Sequence, residues 1–210
     1  MNTKERNEYW NKGARMNSDE IKNTIENLSA ENQKEAIWYL LKGVIQSPGV
    51  TAAEQCLTMR ELRLLLNGNL ASFFNMTNVP GSEHGERLLQ HAISYKKDEL
   101  VLAILEEPEI SVSFESSELR STPLLLALMN GLSHDVIQKL TTEFSIKRKN
   151  TQNSMPEDIA KTTGNSEFLT LLASRKAVMD GASNFFQPHR ITDTPHTNTS
   201  EKDGPSKRRL

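Results

Sequence analysis

The sequence is poor in the residue patterns on which common catalytic and metal sites depend. It contains one cysteine, Cys56, in 210 residues, which excludes an intramolecular disulfide and a cysteine-rich metal site. It has no glycine-rich phosphate loop, no H-E-x-x-H motif and no nucleophile elbow. His84 and His91 flank Glu86, but at a spacing that no standard zinc site uses. We therefore expect a protein that is not an enzyme and holds no metal or cofactor, with Cys56 a small buried group.

Long apolar runs and an excess of one charge are also missing. The longest apolar clusters, residues 64–66 and 124–128, are far too short to cross a bilayer, and no signal-peptide core follows the charged start. The chain has 25 Lys and Arg against 27 Asp and Glu, so a formal net charge of -2 gives no bulk attraction to nucleic acid or anionic membrane. We expect a cytoplasmic, monomeric protein without membrane insertion.

Apolar content is low for a single globule of this length. Hydrophobic residues make up 36% of the chain and its mean hydropathy is -0.55, so part of it should be solvated and unpacked. Near Val178 the apolar periodicity ends, and the rest mixes Pro, Gly, Ser, Thr, Asn and charged residues. We predict a flexible N-terminus over residues 1–17 and a disordered tail over residues 176–210.

Helical periodicity is clear over residues 18–75, which we predict to be an N-terminal helical region. A first helix, over residues 18–28, carries Ile21 and Ile25 on one face. Two stronger helices follow and end at turn-forming segments, residues 47–49 and 67–69. We expect this region to pack on the next part of the chain and cap it.

Strand signals are scarce. Residues 110–114 alternate with a period of two, but they stand between helical stretches and have no partner strand of similar length. We interpret this segment as an extended hairpin loop, and we predict an all-α fold.

A repeated pattern occupies the middle of the chain. Three segments that begin near residues 87, 122 and 155 each place a small residue about five positions after their start: Ala92, Ala127 and Ala160. These alanines are 35 and 33 residues apart. Each is followed by a turn, an apolar pair and a leucine, which indicates a helix, a tight turn, a second antiparallel helix and a returning loop. The alanine should lie where the first helix packs most closely on its neighbours.

The turn follows four residues after each alanine, at Lys96, Gly131 and Gly164. The chain must reverse there, so we predict a positive φ at the two glycines. In two units a proline, Pro123 or Pro156, occupies the first helical turn, where its missing N–H costs little.

This period and pattern resemble the ankyrin repeat, whose signature is T-P-L-H-x-A followed by G-H, an apolar pair and L-L. Residues 122–127 match at every position but one, and the resemblance covers residues 87–174. It implies a short ankyrin-type helical repeat solenoid over residues 76–175, with the N-terminal helical region as its cap. A weaker unit upstream would use Gly68 as its turn.

The sequence departs from the family at the histidine position, which holds Gln90, Leu125 and Asp158. The hydrogen bonds that this histidine makes to neighbouring loops should therefore be weakened, and absent at Leu125. Lys96 also replaces the usual glycine.

The resemblance implies a protein–protein interaction module, because ankyrin arrays bind partners through their hairpin tips and the exposed, concave face of their first helices. The positions just before the turns and at the loop tips give the candidate partner-binding residues: Tyr95, Met129, Asn130, Thr163, Glu115, Glu118, Lys147, Arg148 and Lys149. Small divergent ankyrin proteins are similar to effectors that intracellular bacteria deliver into host cells, where they engage host proteins. Partial burial against a neighbouring repeat is the alternative reading of Tyr95 and Met129.

Two other functions stay open. One is an enzyme with a site in the N-terminal helical region, where Tyr9, Trp10 and Trp38 would be candidate contact residues. The other is a nucleic-acid binder that uses the basic loop and the tail, although the balanced charge argues against it.

Overall fold

A computed structural model describes residues 1–15, 18–29, 33–48, 51–66, 68, 70–77, 87–116 and 120–185 of the chain. These residues form helices and no strand, apart from an isolated antiparallel bridge between Thr77 and Arg87. The predicted all-α class is confirmed for this part of the chain. The helices are α1 (Thr3–Arg15), α2 (Ser18–Glu26), α3 (Gln33–Gln46), α4 (Ala52–Leu65), α5 (Leu70–Asn75), α6 (Leu88–Ser94), α7 (Asp98–Leu105), α8 (Pro123–Asn130), α9 (His134–Leu140), α10 (Glu143–Ile146), α11 (Pro156–Thr163) and α12 (Ser166–Phe185).

The chain divides into two compact units, Met1–Ser174 and Arg175–Leu210. Within the first unit the helices pack in two series. In one series α1 packs on α3, α3 on α6, α6 on α8 and α8 on α11; in the other α2 packs on α4, α4 on α7 and α7 on α9. One apolar core extends from Ile21 in α2 to Leu172 in α12, so the N-terminal helices and the repeated segments share it.

The repeated alanines are carried by three helices of the first series. Ala92, Ala127 and Ala160 are fully buried, and α6, α8 and α11, which carry them, pack on one another. A larger side chain at these positions would not fit without shifting its neighbours, because interiors are packed without spare volume. The predicted burial of the small residue is confirmed in all three segments.

The three turns share a left-handed residue. The φ angle is 69° at Gly131 and 70° at Gly164, which confirms the predicted positive values, and Lys96 has a φ of 54°. This conformation costs a residue with a Cβ about 1 kcal/mol. Lys96 therefore adopts, at this cost, the backbone geometry that glycine adopts freely in the other two turns.

The N-terminus differs from the prediction of a flexible segment over residues 1–17, because Thr3–Arg15 is a helix that packs closely on α3. The cause is a pair of glycines that have no Cβ at the contact. A Cβ on Gly13 would lie 2.0 Å from the Leu40 carbonyl oxygen, and one on Gly43 would lie 2.1 Å from the Trp10 carbonyl oxygen. The indole N–H of Trp10 donates a hydrogen bond to Gln46 Oε1 at 2.6 Å, which fixes the two helices further.

The weaker upstream unit is formed only in part. Gly68 has a φ of 77°, and Leu70, Phe73 and Phe74 of α5 are buried, as expected for a turn and a second helix. However, α4 packs on α7, and α5 packs on α3 and α6. The α4–α5 pair therefore does not occupy the place that α6–α7 and α8–α9 take in the two series.

The second unit is described over residues 175–185, which are helical. The first ten residues of the predicted disordered tail, 176–185, are thus helical in this structure, and residues 186–210 lie outside the described part. Arg, Lys, Ala and Met are good helix formers, and the chain has no proline here before Pro188. No helix in the described residues has both the length and the apolar character that a membrane span needs.

We predict that Gly43→Ala destabilises the protein by about 1–3 kcal/mol, because the new methyl group would overlap a backbone carbonyl of α1. Hydrogen exchange should then show faster exchange of the α1 amides than elsewhere. The control is Asn11→Ala on the exposed side of α1. Normal α1 protection in Gly43→Ala would contradict the close contact.

We predict opposite effects of two turn substitutions on the free energy of unfolding. Gly131→Ala should lower it by about 1 kcal/mol, since the left-handed φ strains any residue with a Cβ. No atom lies within 4 Å of the added methyl group, so the cost is conformational and not steric. Lys96→Gly should leave stability unchanged or raise it by up to about 1 kcal/mol. Denaturant titrations that moved both variants in the same direction would refute this interpretation.

Candidate protein interface

The turns of the three repeated segments lie along one edge of the first unit. The Asp98 carboxylate, at the start of α7, accepts a hydrogen bond at 2.8 Å from the Ser133 N–H, just before α9. His134 Nδ1, at the start of α9, lies 3.4 Å from a carboxylate oxygen of Glu167 in α12. These contacts join each turn to the next. We call residues 95–97, 131–133 and 164–165 the turn edge.

The N-terminal helices continue this arrangement. The Lys97 ammonium donates a hydrogen bond at 2.9 Å to the carbonyl of Ser47, which follows α3. Gln46, the last residue of α3, is within hydrogen-bond distance of His91 in α6, with 3.2 Å between Gln46 Nε2 and His91 Nδ1. The end of α3 therefore lies beside the first turn of the edge.

Two large apolar side chains are exposed at this edge. Tyr95, directly after α6, is 49% exposed, and Met129, near the end of α8, is 44% exposed. Among the described residues the other exposed large hydrophobic side chains are Leu64 and Val178. About half of each side chain is therefore open to solvent, and the rest is covered within the chain.

Three of the predicted contact residues come together in a hollow between the second and third turns. Met129, Asn130 and Thr163 line a space of about 520 Å³, together with His134 and Glu167. Asn130 Nδ2 donates to the Leu126 carbonyl at 2.9 Å and Thr163 Oγ1 to the Ile159 carbonyl at 2.9 Å, which anchors both side chains to their own helices. Tyr95 lies at the first turn and does not line this hollow.

The predicted charge contrast between loop tips is neutralised within the chain. Glu115 and Arg148 form an ion pair, with 3.3 Å between the carboxylate and Nε, and the Arg148 guanidinium lies 4.6 Å from the Phe144 ring centre. Lys147 pairs with Glu143, and this bond lowers the pKa of the Glu143 carboxyl. Lys149 is exposed. Glu118 lies outside the described residues.

The fourth residue of the first and third repeated segments caps its own helix. Gln90 Oε1 accepts the Arg87 N–H at 2.7 Å, and Asp158 Oδ2 accepts the Met155 N–H at 2.9 Å. In the second segment this residue is Leu125, which is buried in the core. The side chains of Gln90 and Asp158 therefore cap the starts of α6 and α11.

Two asparagines that the sequence analysis missed hold the loops. Asn75 Nδ2 donates to the Glu109 carbonyl and its Oδ1 accepts the Ser111 N–H, both at 2.8 Å. Buried Asn150 accepts from the Ser154 N–H at 2.9 Å and closes the next loop. Asparagine is common in turns of any kind. Its presence in the sequence therefore does not show that its side chain bonds to the backbone of a particular loop.

The described residues contain no group of three or more His, Cys, Asp or Glu side chains that could hold a metal ion. Cys56 is half-buried, and burial raises the pKa of its thiol, so the thiolate is scarce at neutral pH. Comparison with protein-family models and with curated protein sequences gives no match to this chain.

We predict that Asp98→Ala destabilises the first unit by about 1 kcal/mol, because it removes the acceptor of the Ser133 N–H at the turn edge. Glu99→Ala is the matched control, since it removes a neighbouring first-turn charge of α7 without breaking this bond. Thermal denaturation of both variants measures the difference. An equal loss of stability in the two variants would mean that the effect comes from removing a negative charge at the start of α7 and not from the hydrogen bond to Ser133.

Proposed function

We propose that the first unit is a short ankyrin-type helical repeat solenoid that binds another protein and does not catalyse a reaction. Three features support this: the alanine contacts of the first series, the left-handed residue in each turn, and the linked turn edge. Stacked units of this kind bury one another's apolar faces, which a single unit cannot do alone. In this proposal α3 and α4 cap the array by packing on α6 and α7.

The observation that carries the functional proposal is the exposure of Tyr95 and Met129 beside linked turns. Tyrosine offers a rigid contact area with a polar tip, and methionine adapts its shape to a partner, so both serve as anchors in interfaces. Burying them in the monomer would stabilise it, whereas the fold leaves them in solvent. The adjacent hollow gives a partner side chain a place to insert beside Met129.

A nucleic-acid partner has less support. Arg148 of the basic loop is already paired with Glu115, and Lys147 with Glu143, so the loop presents less free positive charge than its sequence suggests. The likeness to small ankyrin effectors extends the proposal to a partner in a host cell. The kind of partner is otherwise not set by the scaffold, because such surfaces vary while the fold stays.

The test is affinity capture from lysate with the full chain, comparing the natural sequence with a Tyr95→Ala/Met129→Ala double variant. Loss of both anchors should lower recovery of at least one captured protein by about tenfold or more, equivalent to about 1.4 kcal/mol. Both positions are exposed, so the melting temperature should barely change.

Val178→Ala is the control, because this residue is 72% exposed and lies outside the first unit, which contains the turn edge. An identical set of captured proteins for the double variant and this control would place the binding surface elsewhere. A cooperative melt for every variant shows that differences come from binding and not from unfolding.

A further inference from the structure

A second surface lies between α2 and α4. These helices border a groove of about 510 Å³ whose apolar lining is Leu62, Leu64 and Leu65. Leu64 is 79% exposed, more than any other large hydrophobic side chain in the described residues, while Leu62 is buried. Leu64 therefore adds almost nothing to the core and exposes apolar area to water, at a cost of about 25 cal/mol per Å².

Carboxylates surround this leucine. Asp19 and Glu26 of α2 and Glu61 of α4 line the groove, against a single base, Lys22. Among the described residues no ion pair includes any of these carboxylates. Arg63, a base on α4, pairs instead with Glu107 at 3.1 Å and does not line the groove. The groove thus combines an apolar centre with a local negative charge, although the whole chain is nearly neutral.

The groove is formed before any partner binds. Ile21 and Ile25 fix α2 to the core, and α2 packs directly on α4. Thr58, which also lines the groove, donates its hydroxyl to the Glu54 carbonyl at 2.9 Å, so it is held on its own helix. A rigid groove saves a partner the entropy of ordering it.

We propose that this groove binds a basic amphipathic helix of a second protein. Leucine-like residues on one face of that helix would cover Leu64, and lysine or arginine at its margins would pair with Asp19, Glu26 and Glu61. α2 has nine residues and a length of about 13 Å, which suits two to three turns of a bound helix.

This inference is independent of the proposed function. The groove residues lie on α2 and α4, whereas the turn edge is formed around α6 to α9, α11 and α12. A chain with both surfaces occupied would connect two different proteins. This adaptor role rests on the proposed function of the turn edge as well, whereas the binding of a basic helix in the groove does not.

The test uses fluorescence anisotropy with three labelled peptides of about 14 residues, or about four helical turns. The first has leucines on one helical face and lysines elsewhere; the second replaces the lysines with glutamates; the third has the composition of the first with the leucines dispersed. The full chain should bind the first peptide at least about fivefold more tightly than either of the others, because the groove needs both the apolar face and the positive charge.

Variants locate the site. Leu64→Ser should weaken binding of the first peptide about tenfold, because an apolar anchor is lost. Glu61→Gln should weaken it about threefold and reduce its dependence on salt. Val178→Ser and Asp135→Asn, an exposed leucine-like residue and an exposed acid outside the groove, should change it less than about twofold. All four positions are exposed or on the surface of their helices, so the variants should fold.

Three results would overturn the proposal. Equal binding of the dispersed peptide would show attraction by charge alone. A loss in Val178→Ser as large as that in Leu64→Ser would remove the groove as the site. Sedimentation that shows a dimer of the natural chain and a monomer for Leu64→Ser would assign the groove to a second copy of this protein. The Tyr95→Ala/Met129→Ala variant should bind the first peptide as tightly as the natural chain does. A failure of the groove to bind the peptide would therefore not contradict the function proposed for the turn edge.

Discussion

The fold depends on close contact between successive helices of the first series. The helices of this series carry buried residues with small side chains or none: Ala92, Ala127 and Ala160 in the repeated segments, and Gly13 and Gly43 where α1 meets α3. Close approach lets the larger apolar residues on either side interdigitate across the layer, which is the main source of stability in stacked helices. It also fixes the spacing of the turns, because each turn ends a helix whose position is set by its neighbour.

The position of the candidate interface follows from that spacing. Since the helix ends are in line, short polar contacts such as Asp98 to Ser133 can join one turn to the next, and residues just before the turns appear repeatedly on the same edge. Tyr95, directly after α6, and Met129, in the last turn of α8, are about half exposed there. The N-terminal tryptophans are both used within the chain. The Trp10 indole N–H bonds to Gln46 of α3, and Trp38 is buried with its indole N–H donated to the Met76 carbonyl.

Local features were predictable from the sequence, and contacts between distant segments were not. The alanine positions, the left-handed glycines and the helices of residues 18–66 follow from short-range patterns of size, turn chemistry and periodicity. The docking of α1 depends on two glycines on different helices, and nothing local marks them as a pair. The neutralised loop tips depend on Glu115 meeting Arg148 through space. The sequence shows that Glu115 and Arg148 are charged, but only the structure shows that they are close enough to pair with each other. That pairing weakens the electrostatic attraction of either residue for a partner.

The two surfaces differ in what they can recognise. The turn edge presents anchors of medium exposure beside a largely polar hollow, which suits a folded partner with its own hydrogen-bonding groups. The α2–α4 groove presents one highly exposed leucine among carboxylates that form no ion pair within the described part of the chain, which suits a short basic helix. A net charge of -2 would not reveal this preference, because attraction at close range follows the local charge within about one Debye length, roughly 8 Å in physiological salt. Because the surfaces are built on different helices, substitutions at one can alter its partner while the core packing and the other surface stay intact.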